Sequence, residues 1–329
     1  MNTPLKLGAY SVGLALVFTS ALGAGNAVGS FGDPAPARHD SEQEATTDDA
    51  HQAGERGADA DDVTAGGLEI SSDGYTFVPE ATIFDATEEA RFAFRIDGPN
   101  GEPLTDYELE HDKELHLIVV HRDLSGYQHV HPSRDANGTW TVELDLSPSG
   151  TYRVFADFTP VGADGLILGA DLQVPGQQQV AALPAPSRTA KVDGYTVTLD
   201  GDLVAGQESE LTLSIAKGGR GVADLQPYLA AYGHLVALRS GDLAYLHVHP
   251  EGAPGDGRTK AGPDVTFFAE VPSVGTYRLF LDFRHDGVVR TAEFTVEASD
   301  QADPPSSVST GSTTTATARD EGDHDEEGH

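Results

Sequence analysis

The chain is one unit written twice. The runs HLIVV (116–120), HVHP (129–132) and GTYRVFADF (150–158) recur in the same order as HLVAL (234–238), HVHP (247–250) and GTYRLFLDF (275–283). A period near 120 residues is too long for a solenoid repeat and marks a duplicated domain. Whatever residues 67–174 fold into, residues 190–298 must fold into again. Spacing is kept except for about seven extra residues in the loop 251–264 of the second copy.

Inside each copy the pattern is β. EEARFAFRI (88–96), TWTVEL (139–144), YTVTL (195–199), SELTLSI (209–215) and TAEFTV (291–296) are short runs rich in β-branched and aromatic residues. Asn-Gly, Asp-Gly, Pro and Gly punctuate them about every 8–12 residues. Seven or so short strands in about 100 residues predict an immunoglobulin-like sandwich. Tyr152 and Tyr277, each two residues after a glycine, mark the turn into a central strand. No helix of standard length is expected. The fold class is therefore all-β, as two tandem immunoglobulin-like β-sandwich domains.

The flanks differ in kind. At the N-terminus Lys6 precedes an apolar run from Leu7 to about Leu22, with small residues through Ala27. This predicts a secretory signal over 1–28, or an uncleaved anchor that tethers the chain to a membrane. The location expected is extracytoplasmic, secreted or at the cell surface. Residues 29–66 and 299–329 are acidic and poor in large apolar side chains, so both are expected to be disordered. PGQQQVAALPAPSRT (175–189) reads as a linker.

Acidic side chains outnumber basic ones, 53 to 20, which argues against nucleic acid and anionic membrane surfaces as partners. The acidic surface suits attraction for cations equally with simple solvation. The chain has no cysteine, and its one methionine is Met1. Thiolate and thioether metal sites are thereby excluded, and a metal must be held by imidazole and carboxylate.

The candidate ligands are His116, His129 and His131 in the first copy and His234, His247 and His249 in the second. Residues two apart in a strand share a face, so each His-x-His pair projects together, with Val130 and Val248 opposite. If the charged Arg239 faces water, His234, Val236 and Leu238 face the sandwich interior. By register so do His116, Ile118 and Val120, with His121 outward. Three imidazoles can hold copper(II) or zinc(II), and the affinity order favours copper. The expectation is one three-histidine site per domain, with Tyr127 and Tyr245 behind the ligands.

A simpler reading makes the histidines hydrogen-bonded core residues; identical spacing in both copies, with differing flanks, weighs against it. Asp157 and Asp282 are expected outward, each paired with its own arginine, Arg153 or Arg278. Asp106 and Asp224 are weaker ligand candidates. His111, His121 and His285 lack counterparts and are expected at the surface, and the tail holds His324 and His329 among acids.

With HLIVV, DLSGYQHVHP (123–132) and YRVFADF in hand, the first copy resembles secreted actinobacterial proteins of the YtkA-like or FixH-like immunoglobulin fold. The second copy matches the same pattern at His234, His247, His249 and GTYRLFLDF, so the resemblance spans both bodies. It implies a β-sandwich with an extracytoplasmic, heavy-metal- or copper-linked role. In part the chain is also similar to copper-carrier sandwiches of the CopC type, although no histidine directly follows its signal region.

Three functions are consistent with these residues. One is an exported divalent-metal buffer or carrier. A second is a cell-surface structural or interaction module in which the histidines are packing residues. The third, a metalloenzyme, rests on HVHPE (247–251), which is similar to a first cupin motif. Ser133 replaces that glutamate in the first copy, and no second cupin half, Gly-x-Ser-x-Gly or phosphate loop occurs. The chain is expected not to be an enzyme.

Overall fold

The computed structural model describes residues 65–246 and 248–301, and these form strands, turns and loops with no helix. The signal, most of the acidic spacer, nearly all of the C-terminal tail and His247 lie outside the described residues.

Each copy is a two-sheet sandwich. In the first, the outer sheet runs Ser71–Ser72, Tyr75–Pro79, Ala90–Asp97, Trp140–Leu144, Ser133–Arg134. Its inner sheet runs Gln128–Val130, His116–His121, Gly150–Phe158, Leu166–Val174. In the second copy, the outer sheet is built on Thr189–Val192, Tyr195–Asp200, Glu208–Lys217, Asp264–Glu270 and Val248–Pro250. Its inner sheet orders Leu203–Val204, Val288–Ser299, Gly275–His285, His234–Arg239, Tyr245–Leu246.

The tyrosines at the start of the central strands act as corner posts. Tyr152 Oη donates to the Pro148 carbonyl and Tyr277 Oη to that of Ser273, both at 2.7 Å. Such a bond back to the chain a few residues upstream is a hallmark of immunoglobulin-like sandwiches.

Three apolar cores result. One fills the first sandwich, around Phe92, Phe94, Leu117, Val119 and Trp140, and one fills the second, around Leu213, Leu235, Ala237, Phe267 and Phe283. The third lies between the sandwiches and joins Ile118, Val120 and Phe155 to Val236, Leu238 and Phe280. Four sheets are therefore stacked, with the two inner ones face to face.

This corrects the expected facing of the histidine strands. Leu117, Val119, Leu235 and Ala237 point into their own sandwiches, while His116, Ile118, Val120, His234, Val236 and Leu238 point at the other domain. The error came from Arg239, whose guanidinium is held by Asp242 and, at 2.9 Å, by Ser273 at the strand end. It marks no solvated face. All six residues of His116–His121 are buried, because the strand has a sandwich core on one side and the neighbouring domain on the other.

Contacts across the interface obey an approximate two-fold relation, as in a symmetric dimer. Tyr127 stacks on Phe280 at 4.1 Å between centroids, and its counterpart Tyr245 meets Phe155 at 5.6 Å. The linker is part of this assembly: the Ala181 amide donates to Asp123 at 2.7 Å, and Leu183 packs on the shared core.

Candidate metal centre

Register builds the first-copy site. His129 lies opposite Ile118 across the strand pair, so His131 falls beside His116, and all three imidazoles stand on the face turned to the second domain. One ring nitrogen from each of His116, His129 and His131 lies within 4.8 Å of the others. His116 Nδ1 is 3.0 Å from His129 Nε2 and 3.2 Å from His131 Nε2. Those separations are close to the edge, about 3.3 Å, of a tetrahedron with 2.0–2.1 Å metal–nitrogen bonds.

The outer nitrogens set the tautomers. His116 Nε2–H donates to the Glu110 carbonyl at 3.0 Å, and His129 Nδ1–H donates to Asp282 Oδ2 at 2.8 Å. Neither acceptor can donate in return. The inner nitrogens of neutral His116 and His129 thus face each other as lone pairs, 3.0 Å apart. Two lone pairs at that distance repel, so a positive charge belongs between them: a proton on one ring, or a metal ion shared by all three.

Burial pushes His116 down to about 3, and the neighbouring His129 adds to the effect. His131 is also held at about 3, by burial first and His129 second. Burial likewise holds His234 well below its usual value. These rings are neutral at ordinary pH, the form a metal requires.

The second copy is arranged differently. His234 does not gather a triad of its own among the described residues. It lies parallel to His116, centroids 5.3 Å apart and planes 12° apart, and is 4.8 Å from His129. His249 is exposed and lines a cleft of about 900 Å³ with His111, His116, His234 and Asp157. His247 is outside the described residues. Among the described residues one triad is brought together, at the interface and backed by the second domain.

Several supporting residues depart from expectation. Asp282 is 2% exposed and accepts from His129 and Thr291, not from Arg278. Arg278 pairs with Glu293, and Arg153 with Asp171 at 3.0 Å. Burial pushes Asp157 up to about 6, and the Tyr245 hydroxyl of the other domain acts against that shift. Both aspartates share strand parity with the arginines, but that face is turned to the other domain, where Asp282 is buried and Asp157 is half-buried beside the cleft. Asp224 reaches His285 at 3.1 Å, not the triad.

His121 and His285 are buried, not surface residues. His121 lies over Tyr152, and His285 Nδ1 is 2.6 Å from the Tyr195 hydroxyl. His111, passed over in the sequence for want of a counterpart, lies 5.2 Å from His234. The readable signal for Asp282 was its recurrence with Asp157 directly opposite His234 and His116 in the register.

Comparison with known proteins agrees with the duplication. The family model described as a domain of unknown function (DUF8832) matches residues 70–172 and again 190–300, and the chain belongs to that family as a tandem pair. No curated protein matches the chain. Among solved structures it is similar to the Escherichia coli adhesin FdeC, at 14% identity and TM-score 0.22, covering 70% of this chain and 65% of that one. It is also similar to invasin, a bacterial integrin-binding protein, at 11% identity and TM-score 0.22, covering 70% and 41%. Yersinia pseudotuberculosis InvD gives 13% identity and TM-score 0.23, covering 71% and 62%. The matches span less than two thirds of each of these three.

Proposed function

We propose that this tandem sandwich binds a divalent d-block cation, copper(II) ahead of zinc(II), as an extracytoplasmic metal buffer or carrier. The observation that carries the proposal is the pair of converging lone pairs on His116 Nδ1 and His129 Nε2, with His131 Nε2 beside them. A donor set of imidazole without sulfur suits both metals, and the affinity order places copper first. The signal-like N-terminus, with Lys6 before an apolar run, supports export. The acidic surface favours cation approach.

A second reading rests on the stacked rings of His116 and His234. Here the protein is a cell-surface structural or interaction module, and the histidines weld its two domains together. Calorimetric titration of the full chain with copper(II) and zinc(II), repeated on the His129→Ala/His131→Ala double variant, separates the two. Tight binding in the parent that is lost in a still-folded variant supports the metal reading. No tight binding in the parent, with unfolding of the variant, supports the module.

A further inference from the structure

The repeat relation makes Asp157 and Asp282 counterparts, and likewise Tyr127 and Tyr245. Across the interface, the Tyr245 hydroxyl stands against Asp157 and favours its charged form. In the mirror-image position, no hydrogen bond joins Tyr127 to Asp282. Asp282 accepts instead from His129 at 2.8 Å, and the buried Tyr127 hydroxyl has no partner. An orphaned hydroxyl is costly inside a protein, and Asp282 is the carboxylate that the repeat relation offers it. The symmetry is broken at one position, in favour of an imidazole that points its other nitrogen into the triad.

A carboxylate behind a ligating imidazole fixes the tautomer, orients the ring and raises its basicity. Asp282 meets each requirement. It and the His129 side chain are 3% and 2% exposed, so water does not compete for the bond. Thr291 Oγ1 donates to the other carboxylate oxygen at 2.5 Å and holds the group in place. Asp282 belongs to the Gly275–His285 strand of the second sandwich, while all three ligands belong to the first.

Resting on the metal reading above, we propose that the site is shared between the two sandwiches. The first supplies the ligands His116, His129 and His131, and the second supplies Asp282 as the positioning residue that presents His129 Nε2 to the ion. Ion binding and docking of the domains are then linked, and each strengthens the other. This gives the duplication a role that two independent sites would not need.

The test is Asp282→Asn in the full chain, with circular dichroism to establish that the fold is kept. Copper(II) affinity is expected to fall about 10–100-fold. At saturating copper, pulsed electron paramagnetic resonance reads the remote nitrogen of each bound imidazole, whose quadrupole coupling depends on its hydrogen bond. One of three imidazole signals is expected to shift and two to stay. A purely architectural Asp282 moves none of them. Should Asp282→Asn disturb the fold, Thr291→Val, which leaves the carboxylate in place but frees it to rotate, is expected to give a smaller shift of the same signal. Unchanged affinity and an unchanged spectrum in a folded variant overturn the shared site while leaving the metal reading intact. Absence of copper binding by the parent overturns the metal reading itself.

Discussion

The two copies carry His-x12-His-x-His-Pro at the same spacing, and their described histidines stand in different surroundings. In the first, three rings converge with nitrogens 3.0 and 3.2 Å apart. In the second, His234 stacks on the first copy's His116, and His249 is exposed beside a cleft. Sequence spacing therefore specifies the face and depth at which a histidine sits, but the neighbouring domain decides what it meets. Two domains packed by an approximate dyad bring histidines of both copies to one place, with His234 beside His116 and His129.

The sharpest way to break the comparison is to remove the equivalent histidines. His116→Ala takes away the nitrogen nearest both others, and copper(II) affinity is expected to drop more than about 100-fold. His249→Ala in the second copy is expected to change it by less than about threefold. Titration calorimetry of both variants checks this, and equal losses would restore one site per repeat.

Next in size are the aromatic residues of the shared core. Phe280→Ala removes a fully buried ring that stacks on Tyr127 and is expected to cost about 3–5 kcal/mol in chemical denaturation. Phe155→Ala should cost a similar amount, given the same burial. A large difference between them would mean that the two halves of the interface are not equivalent in strength.

Protons sharpen the account further. His116 and His131 are held at about 3, while unfolded imidazole titrates near 6.5. Between those values the unfolded chain binds protons that the folded chain refuses, so stability is complete above about pH 6.5 and declines as pH falls. The decline approaches about 1.4 kcal/mol per pH unit for each such histidine. Asp157, pushed up to about 6, acts oppositely: its contribution is present below the unfolded carboxylate value and is lost as pH rises through 6. Metal affinity should also be less pH-sensitive than three free imidazoles imply. Between pH 4 and 7 His116 and His131 are already neutral, so neither is expected to add to the slope of log K with pH. Urea denaturation and copper competition across this range measure both slopes.

The smallest contrast is between the twin tyrosines. Tyr245→Phe removes the hydroxyl that favours the charged form of Asp157 and should cost up to about 1 kcal/mol. Tyr127→Phe removes a hydroxyl that has no partner, and should be neutral or slightly stabilising in thermal unfolding.

Much of this was legible in the chain. The repeat, the strand periodicity and the corner tyrosines Tyr152 and Tyr277 led directly to tandem sandwiches. His-x-His parity, together with the run HLIVV, placed His116, His129 and His131 on one face. Which face it was could not be read from Arg239, because a charged strand-end residue is satisfied locally by Asp242. A better indicator was available: HLIVV and HLVAL are apolar at both parities, the pattern of a strand buried on both sides. Asp282 was not recognisable as a partner of His129, 153 residues away, since only docking of the domains brings them together.

The most direct measurement is a crystal structure of the full chain grown with zinc(II), with anomalous differences collected at the zinc edge. The account predicts one strong peak per chain, about 2.0–2.1 Å from His116 Nδ1, His129 Nε2 and His131 Nε2, with Asp282 still bonded to His129 Nδ1. Two peaks, one in each sandwich, or no peak at the triad, would contradict it.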